Sequence, residues 1–230
     1  NIEGGAGDAF SSNFKGGVSG PLSDTVRGSL SASYAEHDET MGEALAKTGD
    51  DANDLERYSV RGQLAWDATE ALNLRLIAGT VQEDDKQQTS DITYDPNGPL
   101  ARTVLPLWQR VGVSDTCSSN DAHDRETCVN QPLTTDFDGN EVTLLGAYSL
   151  ANGWTVNSIS SWDHFRFEGT MDDVAQMMAP LLQFHDTQEN ESWQQELRLS
   201  SAGGETVDWL TGLFYYTNEF ERGDDDDDAT

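Results

Sequence analysis

Residues 55–82 read LERYSVRGQLAWDATEALNLRLIAGTVQ, two alternating segments around the polar turn Asp67-Ala68-Thr69-Glu70-Ala71. In the first segment Tyr58, Val60, Gly62, Leu64 and Trp66 share one face, and Arg57, Ser59, Arg61 and Gln63 share the other. A period of two belongs to a strand and not to a helix. The second segment repeats it with Leu72, Leu74, Leu76 and Ala78 against Asn73 and Arg75, with Ile77 interrupting the polar side. The pair is therefore expected to form an antiparallel hairpin. Trp66 and Tyr58 close the ends of the apolar face, where a membrane interface favours amphipathic rings. A half-buried hairpin in a soluble sheet would carry the same pattern, so both settings stay open at this point.

Composition narrows the choice. The 230 residues carry 42 acidic against 13 basic side chains, a formal net charge of −29. Nucleic acid is excluded as a partner, because phosphate binding requires clustered cations. Six Trp, six Tyr and eight Phe are too many aromatics for a solvating acidic tail, although the mean hydropathy is only −0.61. No run approaches the length of a transmembrane helix, so any membrane would be crossed by strands. The absence of an initiator Met, a signal peptide and a closing aromatic strand makes the chain read as an interior piece of something longer.

Further strands follow the same period. Ile2 to Gly7 and Asn13 to Ser19 precede a turn at Gly20 to Thr25, after which Val26, Gly28, Leu30, Ala32 and Tyr34 alternate with Arg27 and serines. Strands resume at Val142 to Tyr148, turn at Ala151-Asn152-Gly153 and return through Trp154 to Phe167. Trp193 to Leu199 turns through Ala202 to Glu205 into Val207 to Phe220, which makes about nine strands in all. Long polar connections are expected near 38–54, 83–139, 170–190 and from 223 onward. Within them, Val174 to Phe184 is apolar enough for a short helix interrupted by Pro180, or equally for a loop folding inward. Short and long connections alternate along the chain, as in outer-membrane barrels with short periplasmic turns and long extracellular loops; a sandwich has no reason to keep that asymmetry. The expected fold is thus all-β: an antiparallel up-and-down meander forming part of a transmembrane β-barrel over residues 1–230.

Residues 17–25 (GVSGPLSDT) and 54–64 (DLERYSVRGQL), followed by 158–162 (SISSW), 195–200 (QELRLS) and 209–216 (WLTGLFYY), resemble the TonB-dependent receptors of the outer membrane, from the part of the barrel directly after the plug. The resemblance covers nearly the whole chain in register. It implies a 22-stranded barrel in the outer membrane of a Gram-negative bacterium, closed by a plug that engages TonB. Such a receptor imports a scarce nutrient, with a ferric siderophore as the first expectation and haem, cobalamin or a glycan as other cargoes. The plug and the TonB box are absent from this sequence, and outer-membrane lipid and lipopolysaccharide would surround the barrel.

Individual site signals are sparse. Cys117 and Cys128 bracket a short polar segment, and an even pair there suits a disulfide in an oxidising compartment. Arg102, Trp108 and Arg110 sit in the longest connection and offer stacking and charge to a chelate. The run Asp224, Asp225, Asp226, Asp227 and Asp228 reads first as a solvated acidic loop and second as a weak calcium or magnesium site; no metal site or cofactor follows from it. Asp138-Gly139 reads as a turn at a strand start. His37, His123, His164 and His185 are scattered, although His164 and His185 flank one connection and would meet if it folded back. Residues 17–21 lack the glycine pattern of a nucleophile elbow, no His-Glu-x-x-His motif occurs, and Phe10 stands where a dinucleotide loop needs glycine, so no catalysis is expected. Two other readings remain: a structural or surface-assembly component derived from a receptor barrel, and a secreted cation-binding β-protein. The latter would need a second layer over its apolar faces.

Overall fold

The computed structural model describes residues 2–7, 11–38, 42–43, 54–85, 102–103, 105–110, 126–127, 134–171, 184–204 and 206–223. In chain order the elements are β1 (Ile2–Ala6), β2 (Ser12–Pro21), β3 (Val26–His37), β4 (Gly42–Glu43), β5 (Leu55–Asp67), β6 (Leu72–Asp85), α1 (Leu105–Arg110), β7 (Glu126–Thr127), β8 (Thr135–Ser149), β9 (Thr155–Met171), β10 (Phe184–Ser200) and β11 (Leu210–Gly223). Nine of the strands form one sheet in the order β1-β2-β3-β5-β6-β8-β9-β10-β11, and β4 pairs with β7 apart from it. Every neighbouring pair in the large sheet is antiparallel. The up-and-down meander expected from the alternation is therefore present, with all nine strands. No helix among the described residues is long and apolar enough to cross a membrane.

Directly opposed residues share a face, so the register separates the two sides. One row runs Lys15, Ser33, Ser59, Val81, Gly139, Phe165, Asn190 and Phe220 from β2 to β11. It belongs to the inner, mostly polar face. On the other face, three positions nearer the short turns, a row runs Val18, Leu30, Gly62, Ala78, Val142, Trp162 and Trp193. This outer face has no covering layer among the described residues: Val18 is 70% exposed, Leu30 53%, Leu64 45% and Leu144 44%. In water such a surface would be an aggregation site; in lipid it is the required one.

Aromatic rings bound this band. Phe14, Tyr34 and Tyr58 stand in one row on the loop side, and Trp162 faces Trp193 farther round. Trp66, Tyr148, Trp154 and Trp209 lie toward the short turns, the last two packed edge to face at 5.0 Å. Eight positions separate Tyr58 from Trp66 on β5, and the same number separates Trp162 on β9 from Trp154 just before it. That is about 27 Å of strand, or roughly 20 Å of depth at a tilt of about 40°. Polar groups inside the band satisfy one another: the Gln195 amide donates to Ser158 Oγ at 3.0 Å, and its carbonyl accepts from the Ser160 hydroxyl.

Several boundaries differ from expectation. β6 continues to Asp85, β8 begins at Thr135, and β9 and β10 run to Met171 and from Phe184, so the connections 83–139 and 170–190 are shorter than expected. The strands outlast their apolar alternation because their ends stand beyond the aromatic rings, where the outer face turns polar while the hydrogen-bonded ladder continues. Asp138 and Gly139 accordingly lie inside β8 and not in a turn, whereas Gly153, Gly203 and Gly204, with φ of 83°, 76° and 75°, do make turns. Val207 precedes β11, and Leu105–Arg110 is a short helix inside the longest connection. Of the segment Val174 to Phe184, only Phe184 is described, as the first residue of β10.

Candidate functional site

The inner wall carries nearly all of the strand cations. Lys15, Arg27, Arg57, Arg61, Arg75, Arg198 and Arg222 share the polar face by register, and Arg166 alone points outward. Most have a carboxylate within reach. Arg57 Nε meets Glu83 Oε2 at 3.1 Å, Arg27 meets Asp67 at 3.0 Å, and Arg222 forks onto Asp186 at 2.7 and 3.1 Å.

One pair spans an intervening strand. Arg61 on β5, Gly79 on β6 and Glu141 on β8 stand in a single row, and the Arg61 guanidinium bonds the Glu141 carboxylate above the glycine. A Cβ at Gly79 would lie 2.9 Å from Glu141 Oε1, so a side chain there would make the carboxylate shift from its present place. Next in the row, Asp163 accepts from the buried Ser192 hydroxyl at 2.6 Å. Ser33 and Ser59 exchange a hydrogen bond at 2.8 Å one row above. Lys15, Arg57, Arg61, Glu141, Asp163 and Phe165 line a cavity of about 690 Å³ opening to the interior.

Above this cavity the inner wall becomes aromatic. Phe137 and Phe165 stack at 5.9 Å, and the Phe137 ring lies over buried Gly139, whose Cβ would meet it at 3.1 Å. Phe167 covers Gly169 in the same way, at 3.0 Å. A second chamber of about 510 Å³ lies toward the short turns, with Arg27, Asn73, Arg75, Asn157 and Arg198 around it. The inner wall thus offers paired charges, hydroxyls and a ring surface to whatever fills the interior.

The outer rim is built oppositely. Glu36, Glu56, Asp84, Asp136 and Glu168 occupy one row across five adjacent strands, above the aromatic belt and outside the spanning part of each. Like charges directly opposite one another repel. Partial loss of hydration and then the charges of Asp84, Glu168 and Asp138 push the Asp136 carboxyl above the usual range. On the inner face, at the loop-side end of β10, hydrogen bonds from Arg222 and then Gln188 hold Asp186 below it.

Arg102 and Arg110 are exposed, and Trp108 belongs to α1. Cys117, Cys128, His123 and Asp224 to Asp228 lie outside the described residues. His164 and His185 do not meet. His185 stands opposite Thr170, six positions along β9 from His164, and the two pair separately, His164 with Glu189 at 2.8 Å and His185 with Glu168 at 3.5 Å. The Arg61–Glu141 bridge and the Phe137–Phe165 stack were not among the sequence candidates. Alternation places Arg61 on the polar side, but only the register across residues 86–134 supplies its partner.

No family model matches the chain, and no curated protein matches it significantly. Solved structures do. The ferric yersiniabactin uptake receptor FyuA from Yersinia pestis aligns over 95% of this chain and 30% of its own, with a TM-score of 0.69 and 20% identity. The ferripyoverdine receptor of the outer membrane of Pseudomonas aeruginosa aligns over 96% and 27%, at 0.68 and 16%. The ferric-catecholate import receptor Fiu from E. coli K12 aligns over 94% and 33%, at 0.68 and 13%. At these identities the likeness is one of fold: the chain folds as a segment of a TonB-dependent receptor barrel. It spans a third or less of the length of the receptors it matches.

Proposed function

We propose that the chain is part of the barrel of an outer-membrane, TonB-dependent uptake receptor for a scarce nutrient, with a ferric siderophore as cargo. The observation that carries this reading is the nine-stranded sheet itself, apolar and ring-bounded outside, polar and arginine-lined inside, and superposable on receptors named for uptake and import. An enzymatic role has no support from those neighbours. TonB would act through a plug segment outside this sequence. Arg102, Trp108 and Arg110 are the proposed first contacts for the chelate, and Cys117 and Cys128 the proposed disulfide of the same loop. The acidic rim would face lipopolysaccharide phosphates through calcium or magnesium.

The test uses the whole native protein. Its intact mass should be several-fold that of this chain, and it should fractionate with the outer membrane. Deleting its gene should abolish growth on one ferric siderophore as sole iron source. A soluble protein of this length would overturn the reading, and unchanged growth on every chelate tried would overturn the cargo.

A further inference from the structure

The outer face of β2, β3, β5 and β6 is indented where Gly20 stands opposite Gly28 and Gly62 opposite Ala78. Leu30, Leu64 and Leu76 wall the indentation, Leu22 closes it beside the turn, and it encloses about 500 Å³, within the range of roughly 300–1,000 Å³ usual for ligand pockets. The polar residues around it, Ser19, Ser29 and Gln63, belong to the inner face.

Glycine inside a strand weakens it and normally marks strained backbone, a bulge or the close approach of something else. Strain is excluded, because the described glycines with positive φ are Gly153, Gly203 and Gly204. A bulge is excluded too, since the register runs unbroken through all of these positions. Crowding within the chain accounts for Gly28, where a Cβ would come within 3.0 Å of the Leu22 side chain, but not for Gly20 or Gly62, where it would meet nothing within 4 Å. For Gly20 and Gly62 the remaining explanation is an occupant from outside. The groove is continuous with the lipid-facing band, lies between the levels of Tyr58 and Trp66, and ends at the short-turn side. On the membrane setting proposed above, its surroundings there are the chains of the leaflet on that side.

We propose that the groove seats one acyl chain of a phospholipid from the short-turn leaflet and retains it longer than the surrounding lipid. The full-length receptor, purified in mild detergent and mixed with phosphatidylethanolamine, would be examined by native mass spectrometry for bound lipid. Wild type and Gly62→Ala should retain it equally. Gly62→Leu, which fills the floor, should lower retention by about tenfold, the equivalent of roughly two methylene groups losing their contact. Gly20→Leu fills the groove from the other end and should act alike, which covers the case in which one variant fails to fold. Leu197→Phe, on β10 away from the groove, should change nothing. Wild-type-like retention in both filled variants, retention of lipid A in place of phospholipid, or equal loss in Leu197→Phe would overturn the proposal. Those outcomes in a protein that fractionates with the outer membrane leave the receptor reading intact, whereas absence from that fraction defeats the receptor reading itself.

Discussion

The two faces of one sheet treat charge in opposite ways. On the inner wall arginines meet carboxylates at hydrogen-bonding distance, as in Arg57–Glu83 and Arg222–Asp186. On the outer rim, five carboxylates stand in one row across five strands, and the arginine of that face, Arg166, pairs with Glu168 at the end of the row at 3.1 Å. Between the aromatic belts the outer face carries no charge at all on β3, β5 and β6. The backbone is the same on both sides, so on the membrane setting proposed above the difference lies in what each face touches: a polar interior, hydrocarbon at mid-depth, and water or headgroups above.

The comparison can be broken most strongly at mid-depth. Leu64→Arg places a cation on the hydrocarbon side and should cost about 2–4 kcal/mol in the full-length protein in bilayers. Gln63→Arg, one residue away on the inner wall, should change stability by less than about 0.5 kcal/mol. Denaturant titration in vesicles measures both, and equal costs would mean that the faces are assigned wrongly.

A smaller effect is expected on the inner wall. Gly79→Val pushes the Glu141 carboxylate away from Arg61, and because the pair is half exposed the loss should stay below about 1 kcal/mol. Glu141→Gln should cost a similar amount, and the double variant no more than the larger single change. Additive losses would show that Gly79 serves something other than the bridge.

The smallest effects depend on pH and have opposite signs. The raised carboxyl of Asp136 opposes stability once it ionises, so Asp136→Asn should raise the unfolding temperature at pH 7 and do nothing in acid, where the group is protonated in both states. Asp186 is held low, so its contribution is present above the ordinary carboxylate range and is lost as pH falls through its lowered pKa. Asp186→Asn should therefore lower the unfolding temperature at pH 7 and converge on wild type in acid. Unfolding temperatures measured from pH 7 to pH 3 separate the two, and a common sign would remove the contrast between rim and wall.

Much of the fold was legible because each strand separates two solvents. Tyr58, Val60, Leu64 and Trp66 announce the outer face of β5 without any partner in view, and the Pro21 and Gly203 turns announce the short-turn end. Legibility failed where the solvents converge. From the belt upward the outer face is polar, so Asp84, Asp136, Asp138 and Glu189 look like loop although they continue the ladder. The candidate site was hidden for a different reason, since Glu141 is 80 residues from Arg61 and finds it only through pairing across β6.

The sequence by itself determined which side chains face which medium and where the short turns fall, because period and turn chemistry are local. Only the tertiary structure decided which residues share a row: the Arg61 bridge over Gly79, the stacked pair Phe137 and Phe165, the acidic rim and the glycine-floored groove. Hydrogen-bond register joins residues far apart in the chain, and a one-residue slip would regroup them all.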